Sequence, residues 1–108
     1  MAAKRKSAAI LPLLDLLGRR WTLRILWELS QPDGSPRGAS YTFRALQDAC
    51  GGVSPTVLNE RLHELRDIGV IVPQAGGYAL SPAGRTLAKS LSSMHGWADR
   101  HMRGHARR

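Results

Sequence analysis

The stretch GVSPTVLNERLHELRDIG, residues 52–69, carries both ends of a helix and two unlike faces. Ser54 followed by Pro55 is a helix start, because the hydroxyl can take a free backbone N–H and Pro in the first turn gives up no hydrogen bond. Gly69 ends the run. Between them Leu58, Leu62 and Leu65 recur at helical spacing along one stripe, whereas Thr56, Asn59, Glu60, His63 and Asp67 point the other way. One side packs and the other is presented to a partner.

On the N-terminal side, YTFRALQDAC (41–50) reads as a brief extended entry and a short helix with Phe43, Leu46 and Cys50 inward, followed by a tight turn at Gly51 and Gly52. That is helix, Gly-containing turn, helix. On the C-terminal side, VIVPQAGGYALS (70–81) holds two β-prone runs, VIV and YAL, joined by a Pro-Gln-Ala-Gly-Gly turn, the pattern of a small hairpin. Ser81 and Pro82 repeat the helix start, and the last helix is expected to run to about Met102 with Leu87, Leu91, Met94 and Ala98 as its apolar stripe and Trp97 beside it.

Further out, RRWTLRILWELS (19–30) places Trp21, Ile25, Leu26 and Leu29 at helical spacing and reads as a core helix, and QPDGSPRGAS (31–40) is the clearest loop in the chain. The segment AAILPLLDLL (8–17) is apolar on almost every side, more than a short surface helix can leave wet, so a partner is expected to cover it. The order of elements is mainly α with one small β-hairpin, the layout of a winged helix-turn-helix. It implies a three-helical DNA-binding core with extra N- and C-terminal helices for dimerisation. The domain is expected over 8–102, between a basic arm (1–7) and a basic tail (103–108).

The chain has 108 residues, room for one small domain and no second one. Sixteen Lys and Arg against eight Asp and Glu give a net charge of +8, which favours a polyanionic partner. Much of the excess lies at the ends, in Lys4, Arg5, Lys6, Arg100, Arg103, Arg107 and Arg108, where it adds sequence-independent attraction to phosphates. A single cysteine excludes an internal disulfide and points to a reducing compartment. The N-terminal stretch imitates a secretory signal, but Asp15 interrupts it and no small-x-small site follows, so a cytoplasmic protein is expected. No apolar run approaches the roughly 20 residues that cross a bilayer.

Within the 54–68 helix, Thr56, Asn59, Glu60 and His63 are the candidate base contacts: Asn suits adenine, Thr packs on a thymine methyl or donates, Glu accepts from a cytosine amino group, and His donates. Ser54, Arg44, Arg61 and Arg66 are the candidate phosphate contacts. The acids Glu60, Glu64 and Asp67 repel phosphates unless they pair with Arg61, Arg66 or His63 or lie away from the backbone. Ile10, Leu13, Leu14, Leu17, Leu87, Leu91, Met94 and Ala98 are the candidate dimer contacts; packing of the first and last helices on each other within one chain is the alternative. The partners expected are double-stranded DNA and a second copy, with no membrane.

No serine, cysteine or carboxylate pair has the neighbours that catalysis requires, so an enzyme is not expected. His101 and His105 stand four apart as a metal pair on a helix would, but without a Cys or an acid in register other than Asp99, so no metal or other cofactor is expected. Cys50 closes an apolar stripe and reads as a small core residue. Trp21, Trp27 and Trp97 read as core rings, or as the lining of an effector pocket near the dimer helices. A protein-binding module with only non-specific DNA affinity remains the competing function.

The segments LLDLLGRRWTLRILWEL (13–29), FRALQDACGGVSPTVLNERLHELRDIGVI (43–71) and YALSPAGRTLAKSL (78–91) together resemble the HxlR-type winged-helix transcriptional regulators of bacteria. The resemblance rests on Gly18 with a basic residue before Trp21, on the VS…L…RL.EL…G pattern from Val53 to Gly69, and on Tyr78, Leu80 and Gly84. It implies a homodimeric DNA-binding repressor or activator, with the first and last helices at the dimer contact and the hairpin as the wing. A two-fold dimer implies an inverted-repeat operator with half-sites one or two turns, roughly 34 Å each, apart. Where many members carry a Cys-Pro, used in some of them to sense oxidants or electrophiles, this chain has Ala8 and Ala9, and its hairpin is shorter than the family's wings and uncharged at the tip.

Overall fold

A computed structural model describes residues 2–31, 41–74 and 76–103, with side chains from residue 9 onward. Five helices and one hairpin follow in the order α1 (Ala2–Leu17), α2 (Thr22–Ser30), α3 (Phe43–Cys50), α4 (Pro55–Asp67), β1 (Ile71–Gln74), β2 (Gly77–Leu80) and α5 (Pro82–His101). The loop expected over 31–40 and the basic tail past Arg103 lie outside the described residues, apart from Gln31.

The two Ser-Pro starts form as the sequence dictates. Ser54 precedes α4 with its hydroxyl accepting from Val57 N at 3.1 Å, and Ser81 precedes α5 with its hydroxyl accepting from Gly84 N at 3.0 Å. Thr42 caps α3 in the same way, through Ala45 N at 3.0 Å. Each cap satisfies a backbone donor that the helix itself leaves open.

Four expectations about local structure are corrected. Helix α1 begins at Ala2 rather than near residue 8, so the backbone of the supposed arm is helical; Ala, Lys and Arg are good helix formers and nothing in 2–7 breaks the run. Helix α2 begins at Thr22, and Trp21 precedes it in the left-handed region at φ 80°. The hairpin strands extend through Pro73 and Gln74 and resume at Gly77, leaving two residues between them in place of a five-residue turn. Trp27 and Trp97 are 39% and 53% exposed, and neither ring lies in the core.

Pro73 is tolerated in β1 because of what stands opposite. It pairs with Tyr78, whose N–H and C=O both bond Tyr41, at 2.6 and 2.8 Å, on the far side of β2. No N–H is wanted from position 73. The extended entry at Tyr41 thus adds a one-residue bridge to the hairpin's inner edge. The approach is so close that a Cβ on Gly77 would lie 2.2 Å from the Tyr41 carbonyl oxygen.

Ile25, Leu26 and Leu29 of α2, Leu46 and Cys50 of α3, and Leu58, Leu62 and Leu65 of α4 form the buried core, closed below by Val53, Val70, Ile71 and Leu80. Each such aliphatic side chain contributes about 1.5–3 kcal/mol on leaving water. Leu16 and Leu17 of α1 and Leu87, Ala88 and Leu91 of α5 lie half-buried against it. The root of α5 is fixed on the hairpin: Ser81 N donates to Val70 O at 2.9 Å, its hydroxyl donates to Gly69 O, and a Cβ on Gly84 would stand 2.1 Å from Val70 O.

Candidate nucleic-acid interface

Helix α3, the turn at Gly51 and Gly52, and α4 form the helix-turn-helix unit. Both glycines have positive φ, 69° and 136°, values that side-chain-bearing residues rarely adopt. Gln47 Nε2 donates to Val53 O at 3.3 Å and ties the turn back onto α3. With Leu58, Leu62 and Leu65 inward, the opposite face of α4 is bare: Thr56, Asn59, Glu60 and His63 are all exposed and spaced at three or four residues. The structure thus brings the four candidate base contacts onto one exposed face, with Ser54 at its leading end.

The acids of α4 turn out to be engaged. Glu64 lies between two guanidinium groups, receiving Arg19 Nη1 at 2.6 Å and Arg61 Nη1 at 2.7 Å. Glu60 stands 3.5 Å from Arg61 Nη2, and Asp67 stands 3.6 Å from His63 Nε2, an ion pair when the imidazole is protonated. The repulsion these carboxylates would exert on phosphates is therefore offset within the fold. Arg61 is drawn away from a phosphate role by the same contacts: its side chain is only 15% exposed and faces Glu64 and Glu60. Arg44 and Arg66, by contrast, are exposed and have no carboxylate partner among the described residues. Reach across 45 positions is why the Arg19–Glu64 contact was not visible in sequence, whereas Arg61–Glu64, three apart on a helix, was a foreseeable pair.

Away from this face, α1 and α5 leave apolar surface uncovered. Ile10, Leu11 and Leu14 on α1 are 44, 60 and 54% exposed, and Met94 on α5 and Met102 just past its end are 56 and 43% exposed. Of the other candidate dimer contacts, Leu17, Leu87 and Leu91 already pack on the chain's own core, and Leu13 and Ala98 are half-buried. Between α2 and α5 runs an apolar groove of about 590 Å³, lined by Leu23, Trp27, Leu91, Met94, His95 and Trp97. Trp27 stacks on His95 at 5.2 Å, and Trp97 stacks on His101 at 4.6 Å. His105, the other member of the spaced histidine pair, lies outside the described residues.

Cys50 is buried, and burial, with Glu28 nearby, pushes its thiol up from the ordinary range against a smaller opposing effect of Arg24. Its thiolate is disfavoured at neutral pH. Among the described residues no group of His, Cys, Asp and Glu is arranged to hold a metal, and no helix is long and apolar enough to cross a membrane.

The geometry has counterparts among known proteins. The HxlR-like helix-turn-helix family model matches residues 16–106. An uncharacterized HTH-type transcriptional regulator of Bacillus subtilis (strain 168), YvaP, is 33% identical over 92 residues, covering 79% of each chain. Among solved structures, a possible HxlR family transcriptional factor from Thermoplasma volcanium is similar with a TM-score of 0.72 at 28% identity, over 84% of this chain and 82% of that one. Quinone-bound YodB from B. subtilis is similar with a TM-score of 0.68 at 27% identity, over 90% and 98%.

Proposed function

The chain belongs to the HxlR-like helix-turn-helix family of transcriptional regulators, and from that membership we propose that it is a homodimer reading an inverted-repeat operator through α4. The observation that carries this reading is the exposed row Thr56, Asn59, Glu60 and His63 on a helix whose acids are held by Arg19, Arg61 and His63. Such a face meets base edges in a major groove without a net cost from its carboxylates. Arg44, Arg66 and the leading end of α4 at Ser54 then meet phosphates on either side. The second copy covers Ile10 and Leu14 on α1 and Met94 on α5, too much apolar surface to leave in water. Bound to DNA in this way, the protein works in the cytoplasm and performs no chemistry of its own.

Quinone was found on YodB. Cys50, the sole thiol of this chain, is buried and disfavoured as thiolate, which speaks against a reactive-cysteine sensor at that position.

Selection of bound duplexes from a random pool at physiological salt tests the reading, with a variant lacking residues 1–7 and 103–108 run alongside. An enriched inverted repeat that survives trimming is the expected result. No enrichment, with binding lost on trimming, would mean that the basic ends alone hold DNA and that α4 faces a protein.

A further inference from the structure

We propose that Arg20 is a phosphate-contacting residue of the DNA interface and that Trp21 is the positioning residue that holds it there. The proposal rests on the DNA-binding reading above and adds to it two residues on the α1–α2 connection, outside the helix-turn-helix unit. Three observations converge. Trp21 adopts φ 80°, and among the described residues it is the sole non-glycine with positive φ. For a bulky side chain that conformation is an outlier, retained only where the surroundings demand it. The ring it directs reaches the turn before α4: a Cβ built on Gly52 would stand 3.8 Å from Trp21 Cη2. Arg20 in turn lays its guanidinium over that ring, 5.6 Å from the centroid.

The consequence is a cation stacked on a ring that itself reaches the turn before α4, the helix whose leading end enters the groove in helix-turn-helix complexes. Its charge is uncommitted. Arg19 is bound to Glu64 and Asp15, Arg24 to Glu28 and to Ala49 O, and Arg61 to Glu64, whereas Arg20 has no carboxylate partner among the described residues and is exposed. The consecutive arginines thus divide the work: Arg19 faces inward to the acid of α4, and Arg20 faces outward on an aromatic platform. A ring contact leaves all the guanidinium N–H groups able to donate to phosphate oxygens, and stacking limits the rotamers that binding must freeze.

The test is a salt titration of binding to a mixed-sequence duplex by the full chain, its Arg20→Gln variant and its Trp21→Leu variant, with melting temperatures recorded for all three. Each phosphate contact contributes about 0.9 to the slope of log K against log salt, so Arg20→Gln is expected to lower the slope by about 0.9 per bound protomer with an unchanged melting temperature. Trp21→Leu is expected to lower it as well, although Arg20 is still present. Because Trp21→Leu also removes a half-buried ring, Arg20→Gln carries the decision. An unchanged slope for Arg20→Gln, with strong salt-dependent binding by the unaltered chain, overturns this inference alone. Absence of salt-dependent binding by the unaltered chain overturns the DNA-binding reading with it.

Discussion

At the scale of single residues, the proposed interface divides specificity on α4 from affinity on α3. Asn59 is exposed in the middle of the bare face, where a carboxamide can form a bidentate contact with one adenine, while Arg44 stands on α3 with no carboxylate to hold it. Asn59→Ala is therefore expected to cost about 1–3 kcal/mol at one base pair and to relax preference there. Arg44→Ala should weaken binding to all duplexes alike and lower the salt slope by about 0.9. Competition binding against operators altered at single positions separates the two. Equal losses on every sequence for both variants would remove Asn59 from base reading.

At the scale of elements, what was legible in the sequence is what depends on neighbours along the chain. The stripe of Leu58, Leu62 and Leu65 and the Ser-Pro starts at Ser54 and Ser81 needed only helical period and cap chemistry, and they located α4 and α5 within a residue or two. Trp27 and Trp97 line the surface groove and not the core, a choice that composition alone leaves open because apolar rings read alike inside the chain and on its surface. The left-handed backbone at Trp21 has no signature in residue type at all. Nor did spacing disclose that Glu64, paired with Arg61 on α4, also ties that helix to the α1–α2 connection at Arg19. This junction makes a measurable claim. The Arg19 side chain is 46% exposed, so solvent screens much of the attraction. A double-mutant cycle of Arg19→Gln and Glu64→Gln, read by denaturant unfolding, should give a coupling of about 0.5–1 kcal/mol. Additive effects of the two substitutions would show that the contact holds nothing in place.

At the scale of the whole molecule, the polar face of α4 and the exposed apolar faces are carried by different helices. The core is closed by α2, α3, α4 and the hairpin, with α1 and α5 contributing to it only through one side each, Leu16 and Leu17 on one helix and Leu87, Ala88 and Leu91 on the other. Their remaining sides expose Ile10, Leu11, Leu14, Met94 and Trp97, surface that a two-fold partner would bury while setting two copies of α4 at a fixed separation. In the proposed dimer that separation would make an inverted repeat bind more tightly than two independent half-sites. The paired substitution Leu14→Glu with Met94→Glu isolates this role. Both side chains are more than half exposed in the single chain, so the helical content and the core should persist. Sedimentation equilibrium should then show a monomer, and affinity for the full repeat should fall by about 10²–10⁴-fold while binding to an isolated half-site changes little. A variant that remains dimeric would place the contact elsewhere on the molecule, and a monomer that still binds the full repeat as tightly would mean that α4 reads DNA one copy at a time.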